Sequence, residues 1–294
     1  MKIGKSFLQK LILAFACLYC AFAFAGPLLV TQNQNEYNLT PEIEYWVAPN
    51  KDVDPRTFSA SEQSQLFKKY QQSSRELNLG FINEAAWIRV SLKRSASVST
   101  RWILEIPYLG LDTVDLYAPD GKILQNGANA KVNERPYFSR FYAFPVDLNE
   151  SAQAYYLKLE STYPMTVPLR LVEMNVFNRT QFTENLIQSL YYGELLSLLL
   201  YNLALFLIIR DKKYFLYSLF AATMGLAIFA GNGYARLYLW PNSPHWDEIS
   251  QSTLLSIGAG IALLFTMRFL HTRQYLPNTD KFMRFLVACF FILS

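Results

Sequence analysis

The run Ile187-Gln-Ser-Leu-Tyr-Tyr-Gly-Glu-Leu-Leu-Ser-Leu-Leu-Leu-Tyr-Asn-Leu-Ala-Leu-Phe-Leu-Ile-Ile209 carries a single charge, Glu194, in an otherwise apolar stretch. Coiled as an α-helix, its ~23 residues rise about 34 Å, enough to cross a hydrocarbon core of about 30 Å. Residues 214–231 and 249–269 read the same way, and 282–294 begins a fourth span. That last stretch, ~13 residues long, would rise only about 20 Å as a helix. The expected bundle is therefore incomplete, with the chain truncated inside a membrane segment.

Cations orient the spans. Arg210, Lys212 and Lys213 follow the first, and Arg268, Arg273, Lys281 and Arg284 surround the connection after the third. The loop between the second and third has Arg236 against Asp247 and Glu248. Lys and Arg favour the cytoplasmic side, so the first span runs from outside to inside. Tyr234, Tyr238, Trp240 and Trp246 are then expected in the outer interfacial belt.

Outward from the spans, residues 26–178 alternate with the period of β-strands. Trp87-Ile-Arg-Val-Ser-Leu-Lys93 and Thr113-Val-Asp-Leu-Tyr-Ala118 are the clearest, the second followed by a Pro119-Asp120-Gly121 turn. Tyr155, Leu157 and Leu159 fall on one face, with Tyr156, Lys158 and Glu160 on the other. Val167, Leu169 and Leu171 suggest an edge strand because Pro168 lies among them, and Ser61–Tyr70 suggests a short helix outside the sandwich. The expected fold is an extracytoplasmic β-sandwich or jelly roll followed by a transmembrane helix bundle over 179–294.

Residues 1–25 read as a secretory signal peptide: Lys2, Lys5 and Lys10, an apolar segment, and Ala23-Phe24-Ala25 before Gly26. It places the sandwich outside independently of the loop charges. The expected location is a bacterial inner membrane, with the sandwich in the periplasm. Of 294 residues, 52% are hydrophobic and 17% charged, which excludes a disordered chain. The three cysteines, Cys17, Cys20 and Cys289, leave the sandwich without thiols, so no disulfide or thiolate metal site is expected there.

Several segments together resemble bacterial seven-transmembrane receptors with diverse intracellular signalling modules. They are Trp87-Ile-Arg89, Ile106-Pro-Tyr-Leu-Gly-Leu-Asp-Thr-Val-Asp-Leu-Tyr117, Arg135-Pro136, Leu200-Tyr-Asn202, Arg210-Asp-Lys-Lys-Tyr-Phe-Leu-Tyr217 and Leu239-Trp-Pro241. The resemblance implies a carbohydrate-binding-like jelly-roll sensor, seven helices and a cytoplasmic output module. That module, often a diguanylate cyclase or histidine kinase in relatives, is missing from this sequence.

No enzyme motif is present. His245 and His271 are predicted at opposite membrane boundaries, too far apart to share a metal. Gly231-Asn-Gly-Tyr-Ala-Arg236 has Arg236 where a dinucleotide loop needs its third glycine. No cofactor is expected, and the basic residues form no nucleic-acid stripe. Trp87, Arg89, Tyr108 and Arg135 are the candidate ligand-binding residues, suited to stacking on sugars or pairing with anions. The alternative for Trp87 is core packing. Arg89 would then share its buried face and need a partner such as Asp112 or Asp115. Within the membrane, Glu194 and Asn202 are the candidate polar residues, the first for switching and the second for an interhelical hydrogen bond. The expected partners are the lipid bilayer and an unidentified small-molecule or carbohydrate ligand, and a homodimer is compatible with the sequence. Two other readings stay open: a transporter with an accessory periplasmic binding domain, and a non-signalling fragment.

Overall fold

The computed structural model describes residues 27–70 and 76–293; the expected signal peptide, with Cys17 and Cys20, lies outside the described residues. Thirteen strands are described: β1 (Leu28–Val30), β2 (Glu36–Asn38), β3 (Glu44–Val47), β4 (Lys68–Lys69), β5 (Leu77–Gly80), β6 (Ala86–Arg94), β7 (Arg101–Ile106), β8 (Thr113–Tyr117), β9 (Ile123–Asn126), β10 (Tyr142–Asp147), β11 (Gln153–Glu160), β12 (Met165–Val167) and β13 (Arg170–Glu173). The larger sheet has the order β4-β3-β6-β11-β8-β9, with β1 lying parallel beside the end of β6. The smaller sheet is β10-β7-β13-β2, all antiparallel.

Alternation sends Ile88, Val90 and Leu92 of β6 and Tyr155, Leu157 and Leu159 of β11 inward. They meet Leu104, Phe144 and Leu171 from the smaller sheet in one buried core. Burying each such aliphatic side chain contributes roughly 1.5–3 kcal/mol, which is what holds a domain without cross-links together. The predicted turn closes the β8–β9 hairpin, with Gly121 at φ +85°, a conformation that glycine adopts without steric cost.

Two local expectations are corrected. Val167 and Leu171 belong to different strands: β12 pairs with β5, whereas β13 lies inside the smaller sheet between β7 and β2. Pro168, lacking an N–H, ends the first ladder and lets the chain cross to the second sheet. The helix expected at Ser61–Tyr70 is shorter, α1 (Ala60–Leu66), started by a Ser59–Glu62 capping box. It stops because Phe67 turns into a buried aromatic cluster and Lys68–Lys69 pair with β3. It also lies against the sandwich, since Gln63 accepts a 2.8 Å hydrogen bond from the Tyr156 hydroxyl.

The helical part starts immediately after the last strand. Helix α2 (Met174–Ile209) runs for 36 residues, beginning well before the predicted span. It ends at Arg210 in the left-handed region, and the Asp211 side chain then caps α3 (Lys212–Gly231) by accepting from Lys213 N at 2.9 Å. Short α4 (Tyr234–Tyr238) interrupts the loop before α5 (Pro244–Phe269), and α6 (Thr272–Tyr275) precedes α7 (Pro277–Leu293). Helices α2, α3 and α5 are each long and apolar enough to cross a membrane. Helix α3 packs between α2 and α5, and α5 also packs on α7. Gly258 leaves room for Met224, and Gly260 for Phe291, so the absence of a side chain at these two positions permits close helix approach.

The belt expectation needs one correction. Tyr234 is only 5% exposed and donates to Asn185 Oδ1 at 3.0 Å, held beneath the sandwich instead of among headgroups. The β7–β8 and β9–β10 loops of the sandwich rest directly on the outer helix ends. Val132 N donates to Pro241 O at 3.4 Å, and Arg140 pairs with Glu184 at 2.7 Å. Gly233, at φ +78°, lies under Leu109 and Arg140.

Candidate functional site

The four predicted ligand residues separate into two places. Trp87 and Arg89 share the outer face of the larger sheet, as the alternation requires. Trp87 is 1% exposed, packed with Trp46, Phe67, Tyr117 and Tyr156, and its ring centroid lies 5.2 Å from that of Tyr117. Its indole N–H is buried without an acceptor. Arg89 pairs with Glu44 at 2.6 Å, and its guanidinium lies 4.8 Å from the Phe67 ring centroid. Neither Asp112 nor Asp115 serves it. The antiparallel β3–β6 register sets Glu44 directly opposite Arg89, and a single sequence does not reveal that pairing. Asp115 instead faces Lys158, its burial pushing the carboxyl above the ordinary range while Lys158 pulls it down.

Tyr108 and Arg135 come together elsewhere, in a cleft of about 550 Å³ between the sandwich and the outer helix ends. Arg135, 9% exposed, sits at the end of a short 3-10 turn (Val132–Glu134). It donates to Ser139 O at 3.2 Å and to Gly127 O at 3.5 Å. Below it, the Tyr142 hydroxyl lies 2.7 Å from Leu109 O and 3.0 Å from Leu111 O, and burial raises its pKa to about 12. Burial, reinforced by the nearby Arg236 charge, lowers Arg135 to about 10, so it remains cationic at neutral pH.

Arg236 enters the same cleft from the membrane side. It is 5% exposed, donates to Ala130 O at 2.8 Å and to Ala128 O, and pairs with Asp247 at 3.3 Å. Asp247 also accepts from Trp240 Nε1 at 2.8 Å. The Nε–H groups of Arg135 and Arg236 are both buried without an acceptor. Asp112, Asn129, Tyr163, His245, Glu248 and Gln251 are also among the polar residues of its lining. Asp112 accepts from Thr162 N at 2.7 Å, and Glu248 from the Tyr163 hydroxyl at 3.4 Å.

Sequence reasoning treated Arg236 as a loop cation and missed its role. The available signal was one arginine in an otherwise acidic outer loop, a position the inside-positive bias disfavours.

The two intramembrane candidates do not join this site. Glu194 is exposed on α2 and has no hydrogen bond or ion pair among the described residues. Asn202 donates to Leu198 O of its own helix at 2.9 Å, not across to a neighbour. Its amide is within reach of the carbonyl one turn back, and that local bond is made first.

A strand-rich domain seated on apolar helices long enough to span a bilayer, with a charged cleft lined by both, defines a membrane protein with a large domain outside the bilayer. Residues 40–173 match the family model described as 7TMR-DISM extracellular 2, and residues 184–294 match that described as 7TM diverse intracellular signalling. The chain belongs to this family of seven-transmembrane receptors with diverse intracellular signalling modules; the first match ends with β13 and the second begins ten residues into α2. No curated protein matches the chain.

Proposed function

We propose that this chain is the sensing and membrane-spanning portion of a bacterial inner-membrane receptor, with its sandwich in the periplasm. A small polyhydroxylated acid, carbohydrate-like in its hydroxyls, binds the junction cleft, and the helices relay the event to an output module in the cytoplasm. One observation supports this above the others. The cleft takes Arg135 from the sandwich and Arg236 from the helices, both more than nine-tenths buried, each with an unfilled N–H.

Arg236 has Asp247 as its ion-pair partner, whereas Arg135 has none among the described residues, so an acid in the cleft would supply the missing counter-charge. Asp112, Glu248 and Asn129 supply acceptors and donors for hydroxyl groups, and Tyr108 and Tyr163 supply ring faces. A volume near 550 Å³ suits a ligand of that size. Because both halves contribute, such a ligand binds the docked arrangement better than any separated one, and that difference is what a receptor transmits.

The test is a thermal-shift series on the detergent-purified chain with glucuronate, citrate and inorganic phosphate. At least one acid is expected to raise the melting temperature, and Arg135→Gln and Arg236→Gln are each expected to abolish that rise. Stabilisation retained in both variants would remove the cleft from the account.

A further inference from the structure

We propose that a second cleft, at the opposite ends of the spanning helices, binds the phosphate headgroup of an anionic lipid of the inner leaflet. This inference goes beyond the ligand reading above and needs only the orientation that an extracellular sandwich imposes. The cleft, of about 890 Å³, opens among the α2–α3 turn, the end of α5, α6 and the first turns of α7. Six cations line it: Arg210, Lys212, Lys213, Arg268, Arg273 and Arg284. Only Asp211 and Asp280 oppose them, with His271 alongside.

The carboxylates are already committed. Asp280 holds Arg284 at 2.8 Å and accepts from the Thr272 hydroxyl at 2.7 Å, and Asp211 caps α3 with Lys213 3.9 Å away. Arg210, Lys212, Arg268 and Arg273 make no ion pair among the described residues. Helix ends do not absorb this surplus. The C-termini of α2 and α5 each present roughly half a negative charge, but the N-termini of α3 and α7 present a similar positive one. Six cations against two carboxylates leave a surplus of four positive charges around one concavity, which favours the entry of an anion.

Two features favour a lipid over a soluble phosphate. The cations stand at the last and first turns of spanning helices, Ile209, Lys212 and Phe269 being helix termini, which is the depth of headgroup phosphates. The same cleft is lined by Leu216, Leu264 and Met267, apolar side chains of the kind that the glycerol and acyl portion of an amphiphile requires.

The experiment reconstitutes the full chain in nanodiscs of phosphatidylcholine mixed with phosphatidylglycerol and follows lipids retained after detergent extraction by native mass spectrometry. Several-fold preferential retention of phosphatidylglycerol is expected, undiminished by free glycerol phosphate. The preference should be lost in Arg268→Gln/Arg273→Gln, kept in Arg268→Lys/Arg273→Lys, and kept when Lys131 on the sandwich is changed to Gln. Equal retention of both lipids by the unaltered chain overturns the proposal without recourse to any variant. So does displacement of the lipid by free glycerol phosphate, which would assign the cleft to a soluble anion, and so does a preference that the Gln pair leaves intact.

Discussion

Replacing Arg236 with methionine would keep its apolar stem but strand Asp247 without its cation and leave Ala128 and Ala130 short of a donor. Breaking one partner of a buried pair costs about 3–5 kcal/mol, because the remaining charge stays desolvated. The expected result is a loosened junction, read as a lower melting temperature. In a double-mutant cycle with Asp247→Asn, a coupling energy above ~1 kcal/mol is expected, and simple additivity would show that the two residues act separately. Gly233→Ala tests the same surface sterically. A left-handed backbone costs a Cβ-bearing residue roughly 1–2 kcal/mol, and the added methyl would meet Leu109 at 3.1 Å. Destabilisation is expected there, whereas no change on calorimetry would mean the sandwich already rides off the helices.

Glu105 offers a pH-dependent readout at the same scale. It is buried in the smaller sheet and paired with Arg170 at 2.5 Å, and Arg170 also holds Glu36. Burial pushes the Glu105 carboxyl above its ordinary 4.5, Arg170 pulls against this, and the Glu184 and Glu36 carboxylates push further upward. The folded state therefore keeps a proton that the unfolded chain has released. That contribution to stability is fully present below 4.5 and is lost as pH rises through the elevated folded value. Melting temperatures of Glu105→Gln across the acidic range are expected to lack this downward slope. An unchanged slope would place its origin in another group.

At the scale of elements, α2 matters most because strand β13 passes into it without a loop. Inserting one alanine after Thr183 would rotate everything beyond it by about 100° and advance it about 1.5 Å. Helicity by circular dichroism is expected to persist, while the Glu184–Arg140 contact, whose partners lie on opposite sides of the insertion, is lost and the Asn185–Tyr234 contact, both beyond it, is kept. Signal output in a receptor carrying its output module should change with the insertion, and unaltered output would dissociate α2 from the relay. The strands illustrate what a sequence reveals. Trp87–Lys93 and Tyr155–Glu160 were legible because side-chain period alone assigns their faces. The Pro168 crossing was not, since a break between strands of different sheets and an edge proline look the same in one dimension. Glu44 opposite Arg89 depended on register between segments forty-five residues apart, information carried only by pairing.

For the whole molecule, the greasy spans and the outside sandwich were legible from hydrocarbon thickness and loop charge. The junction was not, because each of its residues looks ordinary until two loops and three helix ends converge. Tyr108 and Arg135 were chosen for chemistry and line the cleft; Arg236 and Asp247 came from a loop read for its charges and for a dinucleotide motif it lacks, and Tyr163 from a turn given no reading. Amide exchange tests how tightly the halves are joined. Protection at residues 128–135 is expected in the intact chain and should fall selectively in Arg236→Met, with Val90 and Leu157 in the sandwich core unaffected. A uniform loss over both regions would mean that the sandwich has no stability apart from its seat.

The unbroken run of α2 from Met174 to Ile209 has a mechanical consequence. A rod of that length measures about 54 Å, so pivoting it by only ~5° at the sandwich would swing its far end sideways by about 5 Å. A sub-ångström adjustment around a bound molecule could thus arrive on the cytoplasmic side as a displacement comparable to one helical pitch.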